Sequence, residues 1–535
     1  MDKALLPDDF EKLKELILQQ NRLLAEKDIA IADKEAVIAD KSAVIEELSE
    51  QVRLLKALAF AKKSEMVKKP AKDEYQYSLF DEAEFVCELP SSESEPEIVQ
   101  VPAHCRAKKG RKHISESIPR EEIIHDIPAE EKICACGCEL TRIGEVVSEK
   151  LDYVPAQIRV LRHIRPKYAC KKCEGTESNG PAVKIAPMPP QLIRQGIVTP
   201  GLLAHILINK FCDGLPFYRQ NRMFERLGIE ISRSTMSNWT VLAAQRCGLL
   251  MELMYEHLRC GGIINLDETP VQVLKEPGRE NTTKSYMWVA CRSGTKPAIL
   301  FHYAPSRAGK IAAEIVGNFK GILQTDGYAG YNALGGSEGI VHAGCLVHVR
   351  RKFMDVLKAG SKKKKGTAST VIDLIAKLYR LESRARKDVF SPEEILNMRT
   401  EKARPLLNKI HEIILKSFGS VPPTSLLGKA LSYALGQWPR ITVYLENPTL
   451  TPDNNIAENA IRPFAVGRKN WLFSGSPRGA EASATFYSLI ESAKTNNLNP
   501  ADYLCELFEK LPHAQCRAEL EELMPWNIAD NAEIK

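Results

Sequence analysis

The stretch that most constrains this chain is IINLDETPVQVL, residues 263–274, where an apolar run leads directly into two acids. The residues Ile263, Ile264 and Leu266 are typical of a buried strand. A carboxylate such as Asp267 at the end of a buried strand is costly unless a cation compensates its charge. An ordinary turn carboxylate would give the same local pattern, so the interpretation depends on partners elsewhere in the chain.

The segments after this strand predict an α/β core. Apolar runs SYMWVACRS and AILFHYAPS predict strands, AGKIAAEIVGNF a helix, GILQTD a short strand ending at Asp326, and IVHAGCLVHVRRKF a strand and a helix. The order β-β-β-α-β-α-β-α is that of a ribonuclease-H-like domain, in which the first and fourth strands are neighbours. We therefore expect Asp267 and Asp326 side by side, although 59 residues separate them.

A third acid is expected at Glu458, in TPDNNIAENAIRPF. Asn455, Glu458 and Arg462 share one helix face, and Asp453 is placed to cap that helix or to assist at a metal. Neighbouring carboxylates repel, and one would protonate without a cation. With Mg²⁺ (or Mn²⁺) they become ligands suited to phosphodiester chemistry. Between the second and third acids, residues 368–387, 391–418 and 424–446 predict helices.

Several side chains near these acids are candidates for roles in catalysis or DNA contact. His348 is expected beside the acids, orienting a carboxylate or the scissile phosphate, with a buried core histidine as the alternative. Basic residues suit a DNA backbone, and an aromatic ring suits an unpaired base. The candidates for DNA contact here are Arg350, Arg351, Arg462, Arg468, Lys469 and Trp471.

The N-terminal region predicts one long helix, because residues from about 8 to 60 contain neither Gly nor Pro. Apolar residues recur every seven positions, at Ile17, Leu24, Ile31, Ile38, Ile45 and Val52. This heptad pattern favours a coiled coil and a homo-oligomer. A second seam position is polar at Lys27, Lys34 and Lys41, so a helical hairpin or tail is the alternative.

Two cysteine clusters predict a structural zinc site. Four of five thiols would bind the ion, because CxxC spacing lets one turn supply two ligands; the five are Cys134, Cys136, Cys138, Cys170 and Cys173. The Cys136–Gly137 step favours Cys136 within the first cluster. A set of reduced thiols without metal is the alternative.

Two further segments suggest DNA binding. In LPFYRQNRMFERLGIEISRSTMSNW, a short helix, a turn at Gly228 and a second helix from near Ser232 match helix-turn-helix spacing, with Arg233 facing DNA. An ordinary αα-corner is the alternative. The preceding linker carries AKKGRKH, where Arg111 and Lys112 could lie in a minor groove or form a solvated patch.

Composition sets broad limits. The net charge is only +6, so the placement of basic residues says more about a polyanion partner than their total. No apolar run of about eighteen residues is present, and the N-terminus lacks a signal-peptide core. We expect a cytoplasmic bacterial protein without membrane contact, associated with the nucleoid when bound to DNA, in which the fourteen cysteines are thiols or metal ligands.

The chain resembles the transposases of the insertion sequence 66 family. The resemblance rests on LDETPVQVL, TDGYAGYNAL, GCLVHVRRKF and PDNNIAENAIRPFAVGRKNWLFSG, and upstream on EKLDYVPAQIRVLRHIRPKYACKKCE. It implies an Asp-Asp-Glu (DDE) transposase whose triad is Asp267, Asp326 and Glu458. Two departures are CACGC, where the family commonly has CxxCG, and Asn459, where Arg is common.

The resemblance also implies partners: the terminal repeats of a mobile element, target DNA, and small accessory proteins of the same element. The expected fold class is a multidomain α+β protein. Its predicted parts are a coiled-coil helix (1–61), a basic disordered linker (62–120), a zinc-binding β module (121–190), a helix-turn-helix-like region (191–258), a ribonuclease-H-like core (259–357 plus 447–495), a helical insertion (358–446) and a C-terminal tail domain (496–535). A nuclease of the same fold that does not join DNA, and a non-catalytic transposon-derived DNA-binding protein, are the alternatives.

Overall fold

A computed structural model describes residues 10–60, 158–169, 183–194, 196–359 and 366–533. The described residues belong to two compact units. One contains the N-terminal helix and everything from Pro189 onwards, and the other contains the short segments between 158 and 188. Each unit is described by itself. No helix in the described ranges is long and apolar enough to span a membrane.

Helix α1, Phe10–Phe60, runs without interruption, as the absence of Gly and Pro predicts. Its heptad residues are 47–64% exposed within the single chain. Its C-terminal part bonds to the rest of the unit: Glu50 accepts a hydrogen bond from the Leu426 amide at 3.2 Å, and Glu47 lies 3.3 Å from Lys429 Nζ. These exposed heptad residues are available to a second helix, and pairing with another chain stays a prediction.

In the smaller unit, two short strands are described. Strand β1, Lys167–Ala169, pairs antiparallel with β2, Val183–Ile185. Arg165 Nη1 donates to the Ala186 carbonyl at 3.0 Å and fastens the start of the pair to its end. The unit is therefore β-type where it is described.

Four helices precede the sheet: α2, α3, α4 and α5, at Pro200–Phe211, Phe217–Arg226, Arg233–Arg246 and Gly248–Arg259. The turn after α3 uses Gly228 at φ 77°, where a side chain would be strained. Ser232 caps α4 by accepting a hydrogen bond from the Thr235 amide at 3.1 Å. The predicted helix, turn and second helix are confirmed, while DNA binding by α4 stays a prediction.

A five-stranded mixed sheet lies at the centre of the larger unit. Its strands are β3, β4, β5, β6 and β7, at Ile263–Gln272, Lys284–Arg292, Ala298–Ala304, Gly321–Gln324 and Ile340–Ala343. They lie side by side in the order β5-β4-β3-β6-β7. β3, β4 and β5 form an antiparallel meander, and β3, β6 and β7 are parallel. Helix α6, Gly309–Val316, connects β5 to β6, and α7, Leu346–Ala359, follows β7.

Three expectations about this sheet were wrong. Strand β6 ends at Gln324, two residues before its predicted end at Asp326. The helix expected between the fourth and fifth strands is replaced by short 3₁₀ turns, Ala329–Tyr331 and Leu334–Gly336. This segment is rich in glycine, which disfavours an α-helix. Strand β3 also continues past Asp267 to Gln272, because its antiparallel partner β4 extends beyond the end of the parallel partner β6.

Residues 367–446 are helical, and the three helical segments predicted there are confirmed. They form α8, α9, α10 and α11, at Thr367–Lys387, Pro392–Met398, Arg404–Phe418 and Leu426–Ile441, with a π-helical turn before α10 and a 3₁₀ turn after α11. Together with α7 they enclose a second apolar core. In the π turn, buried Arg399 pairs with buried Glu382 at 2.8 Å.

The last part of the chain is helical and packs against the sheet. Its helices are α12, α13, α14, α15 and α16, at Asn455–Trp471, Pro477–Thr495, Pro500–Lys510, Arg517–Glu522 and Pro525–Glu533. The backbone amides of Phe301 and Ile299, on edge strand β5, donate to Ser488 Oγ at 2.7 Å and Ser492 Oγ at 3.0 Å on α13. Helix α13 thus provides hydrogen-bond partners for backbone amides of the edge strand β5 that would otherwise be unpaired.

Candidate active site

Two of the three predicted acids lie on or just after neighbouring parallel strands: Asp267 is within β3, and Asp326 follows the end of β6 by two residues. β3 and β6 pair in the register Ile263↔Ile322 and Asn265↔Gln324, an offset of 59 residues. The same offset separates Asp267 from Asp326. Because side chains alternate along a strand, Asp267 shares the face of Asn265. Continued two residues past the end of β6, the same offset would set Asp326 opposite Asp267.

Backbone amides hold both aspartates. The amide of Glu268 donates to Asp267 Oδ1 at 2.9 Å, and the amide of Tyr328 donates to Asp326 Oδ1 at 2.9 Å. Burial, together with the negative charges of Glu268, Asp326 and Glu458, raises the pKa of Asp267 to about 8, against the opposing hydrogen bond from the Glu268 amide. A carboxyl surrounded in this way needs a proton or a cation.

Glu458, the third predicted acid, lies in the first turn of α12. Burial raises its pKa, while Arg351 opposes this with an Nη2 atom 3.7 Å from Glu458 Oε2. Asp453 Oδ1 accepts the Asn455 amide at 3.1 Å, so Asp453 stabilises the start of α12. Because the charges of Asp326 and Glu458 both raise the pKa of Asp267, the three acids form one electrostatic cluster.

Three buried amides, Asn265, Gln324 and Asn454, connect the elements that carry the acids. Asn265 Nδ2 donates to Gln324 Oε1 at 2.8 Å and to Asn454 Oδ1 at 3.1 Å. Asn454 Nδ2 donates to the Leu266 carbonyl at 2.9 Å. Gln324 Nε2 donates to the Thr451 carbonyl at 2.8 Å. We call these three residues the amide network; it holds the start of α12 against β3 and β6.

The sequence interpretation missed the amide network, although a signal was present. An amide stands two residues before each aspartate, in Asn-Leu-Asp and Gln-Thr-Asp. In a strand, residues two apart share a face, so each amide lies beside its acid. A buried polar residue in an apolar strand requires a partner, which indicates a network.

Glu268, the next residue of β3, has its carboxylate bonded to other side chains. One of its oxygens pairs with Arg307, and the other accepts the Tyr331 hydroxyl. The guanidinium of Arg307 lies 3.8 Å from the Tyr328 ring centroid. These bonds explain why Glu268 is buried, and they leave Asp267 as the member of the pair beside the other acids.

His348 lies in the first turn of α7, and its Nδ1 is 3.7 Å from Glu458 Oε1. Burial and the nearby Arg351 lower its pKa, against the opposing charge of Asp326. The imidazole is thus next to the acids, as expected for a residue that orients a carboxylate. The same helix carries Arg350, which is half-buried.

The predicted DNA-contacting residues of α12 differ in their surroundings. Arg462 and Lys469 are exposed, and Arg468 Nη1 donates to Thr269 Oγ1 at 3.2 Å. Trp471 packs against Phe464, with ring centroids 5.3 Å apart, in the main apolar core. The indole therefore has a packing role, and its stacking on a base stays a prediction.

Of the remaining predicted site residues, the structure describes only Arg233. Arg233 is exposed at the start of α4. The linker residues Arg111 and Lys112 lie outside the described residues. So do the five cysteines of the predicted zinc site, Cys134, Cys136, Cys138, Cys170 and Cys173.

Comparison with known proteins gives matches along the chain. Protein-family models match residues 195–482 ("Transposase IS66 family"), 131–174 ("zinc-finger binding domain of transposase IS66"), 488–526 ("IS66 C-terminal element") and 47–123 ("Transposase C of IS166 homeodomain"). Among similar proteins, the uncharacterized protein y4qI of Sinorhizobium fredii is 33% identical over 98% of each chain. From the same organism, the uncharacterized protein y4jD is 34% identical over 77% of this chain and 81% of its own.

Proposed function

This chain belongs to the IS66 transposase family, and we propose that it cuts and joins DNA with a triad of Asp267, Asp326 and Glu458. In the first step, a water oxygen attacks a phosphodiester at the element end, and the 3′-oxygen leaves as a hydroxyl. In the second, that 3′-hydroxyl attacks a target phosphodiester and displaces a target 3′-oxygen. The observation that supports this most is that Asp326 and Glu458 both act electrostatically on Asp267, with Asp326 following a strand that pairs with β3 at the same offset of 59 residues.

We assign a ribonuclease-H-like core to residues 259–357 plus 447–495, with residues 358–446 as a helical insertion. The supporting features are the antiparallel meander of β5, β4 and β3, and the parallel pairing of β3 with β6 and of β6 with β7. The insertion lies in the sequence between the second and third acids. Its π-turn arginine, Arg399, donates to the Leu450 carbonyl at 2.9 Å, just before the segment that leads into α12.

The donor set suits a hard divalent cation such as Mg²⁺ or Mn²⁺, because it consists of carboxylate oxygens. Without a cation, the pKa values of Asp267 and Glu458 are raised. When bound, such ions activate the attacking oxygen and stabilise the leaving oxygen. The chain's own residues do the positioning. The Glu268 and Tyr328 amides orient the two aspartates, and Arg351 orients Glu458.

DNA recognition is assigned to several parts of the chain. Arg233 at the start of α4 is exposed in the geometry expected for a helix-turn-helix. Lys469 and Arg462 lie on α12 with the proposed catalytic acid, where they would contact the phosphate backbone. The cysteine module would hold a structural Zn²⁺, and α1 would pair protomers across two element ends.

A strand-transfer assay with pre-cut element ends tests the proposal. Wild-type protein should join these ends to target DNA when Mg²⁺ is added. Asp326→Asn should lower joining at least about a hundredfold, since bound metal contributes several kcal/mol to such reactions. The matched control is Asp388→Asn, an exposed carboxylate that pairs with Arg384, which should join normally.

The outcomes separate the alternatives. Cleavage of intact ends without any joined product would favour a nuclease. DNA binding with neither cleavage nor joining would favour a non-catalytic protein. Full activity in Asp326→Asn would remove this residue from the triad.

A further inference from the structure

A second set of metal-binding side chains adjoins the proposed triad. Cys345, His348 and Glu458 each offer a ligand atom, and these atoms lie within 4.8 Å of one another. Cys345 immediately precedes α7, His348 lies in its first turn, and Glu458 comes from α12. Their distinguishing feature is the donor set: one sulfur, one nitrogen and one oxygen.

Two of these ligand atoms lack hydrogen-bond partners. His348 Nδ1 and Glu458 Oε1 are both buried without a partner among the described residues, and they face each other at 3.7 Å. A buried polar atom left without a partner costs about 1–3 kcal/mol. A separation of 3.7 Å is too long for a hydrogen bond but suits two ligands of one ion, given ligand bonds of about 2.0–2.3 Å.

The third ligand is already positioned. Cys345 is buried, and its Sγ accepts the Asn454 amide at 3.3 Å. This bond connects the thiol to the amide network and to the start of α12. The cysteine therefore has a fixed orientation next to Glu458, and it is not a mobile surface thiol.

We propose that Cys345, His348 and Glu458 bind a divalent transition-metal ion of the zinc type. Sulfur and imidazole donors select such ions over Mg²⁺, which prefers oxygen ligands. On binding, the ion replaces the thiol proton of Cys345, which passes to solvent.

The consequence for activity rests on the function proposed above. Glu458 belongs both to this site and to the proposed triad. When Glu458 Oε1 is bound to the ion held by His348 and Cys345, this oxygen is no longer available to an ion held by Asp267 and Asp326. Zinc then inhibits DNA joining by occupying a site of its own, which shares one ligand with the catalytic centre.

The binding experiment uses the full chain, its cysteine module saturated with zinc, in excess Mg²⁺. Bound zinc is measured by equilibrium dialysis and metal analysis for wild type and Cys345→Ser, whose hydroxyl can still accept the Asn454 amide. Cys345→Ser should bind the additional zinc at least about tenfold more weakly, since even outer partners of a metal site contribute that much. The matched control is Cys516→Ser, an exposed free cysteine, which should bind zinc as wild type does.

A second measurement avoids dependence on one variant. Co²⁺ added to the wild-type protein should give the absorption spectrum of one further Co²⁺ ion in a tetrahedral site with a thiolate ligand. The His348→Asn substitution should weaken binding of this ion. Equal zinc affinity in wild type and Cys345→Ser, or no additional Co²⁺ signal in wild type, overturns the site.

The activity measurement separates this inference from the proposed function. For each protein, joining is expressed relative to its own zinc-free rate. The zinc concentration that halves joining should be at least about tenfold higher for Cys345→Ser than for wild type. Joining without any difference in zinc sensitivity refutes the regulatory inference alone. Zinc binding that depends on Cys345, in a protein that joins no DNA, refutes the transposase proposal and leaves the metal site standing.

Discussion

Substitution of Asn454 by alanine should disturb the proposed active site without removing any proposed metal ligand. The change deletes two buried hydrogen bonds, from Asn265 Nδ2 and to the Leu266 carbonyl. Each buried partner left unsatisfied costs about 1–3 kcal/mol, and Asn265 keeps its bond to Gln324. We therefore expect a loss of about 2–4 kcal/mol in the free energy of unfolding.

The effect should reach metal binding, because Asn454 holds the first turn of α12, which carries Glu458. The magnesium concentration that gives half-maximal DNA cleavage should rise about 10–100-fold, as for other residues that orient metal ligands. With an unfolding entropy of about 2.1 cal/mol/K per residue, the thermal midpoint of the larger unit should fall by about 2–5 °C.

Both quantities are measurable on one preparation, by thermal unfolding and by cleavage at graded magnesium concentrations. Asn332→Ala, at an exposed asparagine, is the matched control and should leave both unchanged. An Asn454→Ala protein with wild-type melting and wild-type magnesium dependence would refute the argument. It would mean that the amide network does not position Glu458.

Three further predictions concern stability and metal content. Because burial and neighbouring carboxylates raise the pKa of Asp267 from 3.8 to about 8, the metal-free folded protein binds a proton that the unfolded chain releases. Its free energy of unfolding should fall as pH rises between about 4 and 8, and urea titrations should show a weaker dependence in Asp267→Asn. Arg399→Ala leaves buried Glu382 unpaired and should cost about 3–5 kcal/mol in urea unfolding, whereas exposed Arg384→Ala should cost less than about 1 kcal/mol. Cys170→Ser should lower the zinc content by about one ion per chain, and unchanged metal analysis would refute the zinc site.

Much of the architecture was predictable because its signals are local. The long helix α1 follows from the absence of Gly and Pro, and the helices between 367 and 446 follow from apolar periodicity. The position of Asp326 beside Asp267 required one further step, the strand order of a known fold. The register at offset 59 agrees with that expectation.

Other features depend on contacts that leave no local signal. Asn265 bonds to Asn454 across 189 residues, and Ser488 bonds to the Phe301 backbone across 187. The extension of β3 past Asp267 depends on how far its antiparallel partner pairs. Sequence periodicity identifies the buried face of each helix or strand, but it does not identify the element that packs on that face.

The sequence by itself determined the family and most of the order of elements, and it singled out three candidate acids, because propensity, periodicity and motif spacing are written in consecutive residues. Only the tertiary structure decided that α12 is held to β3 by buried amides, that Glu268 pairs with Arg307, and that Cys345 joins His348 beside Glu458. The physical reason is that each of these contacts joins side chains from separate elements. Their distances follow from packing of the whole core, which no single stretch of sequence specifies.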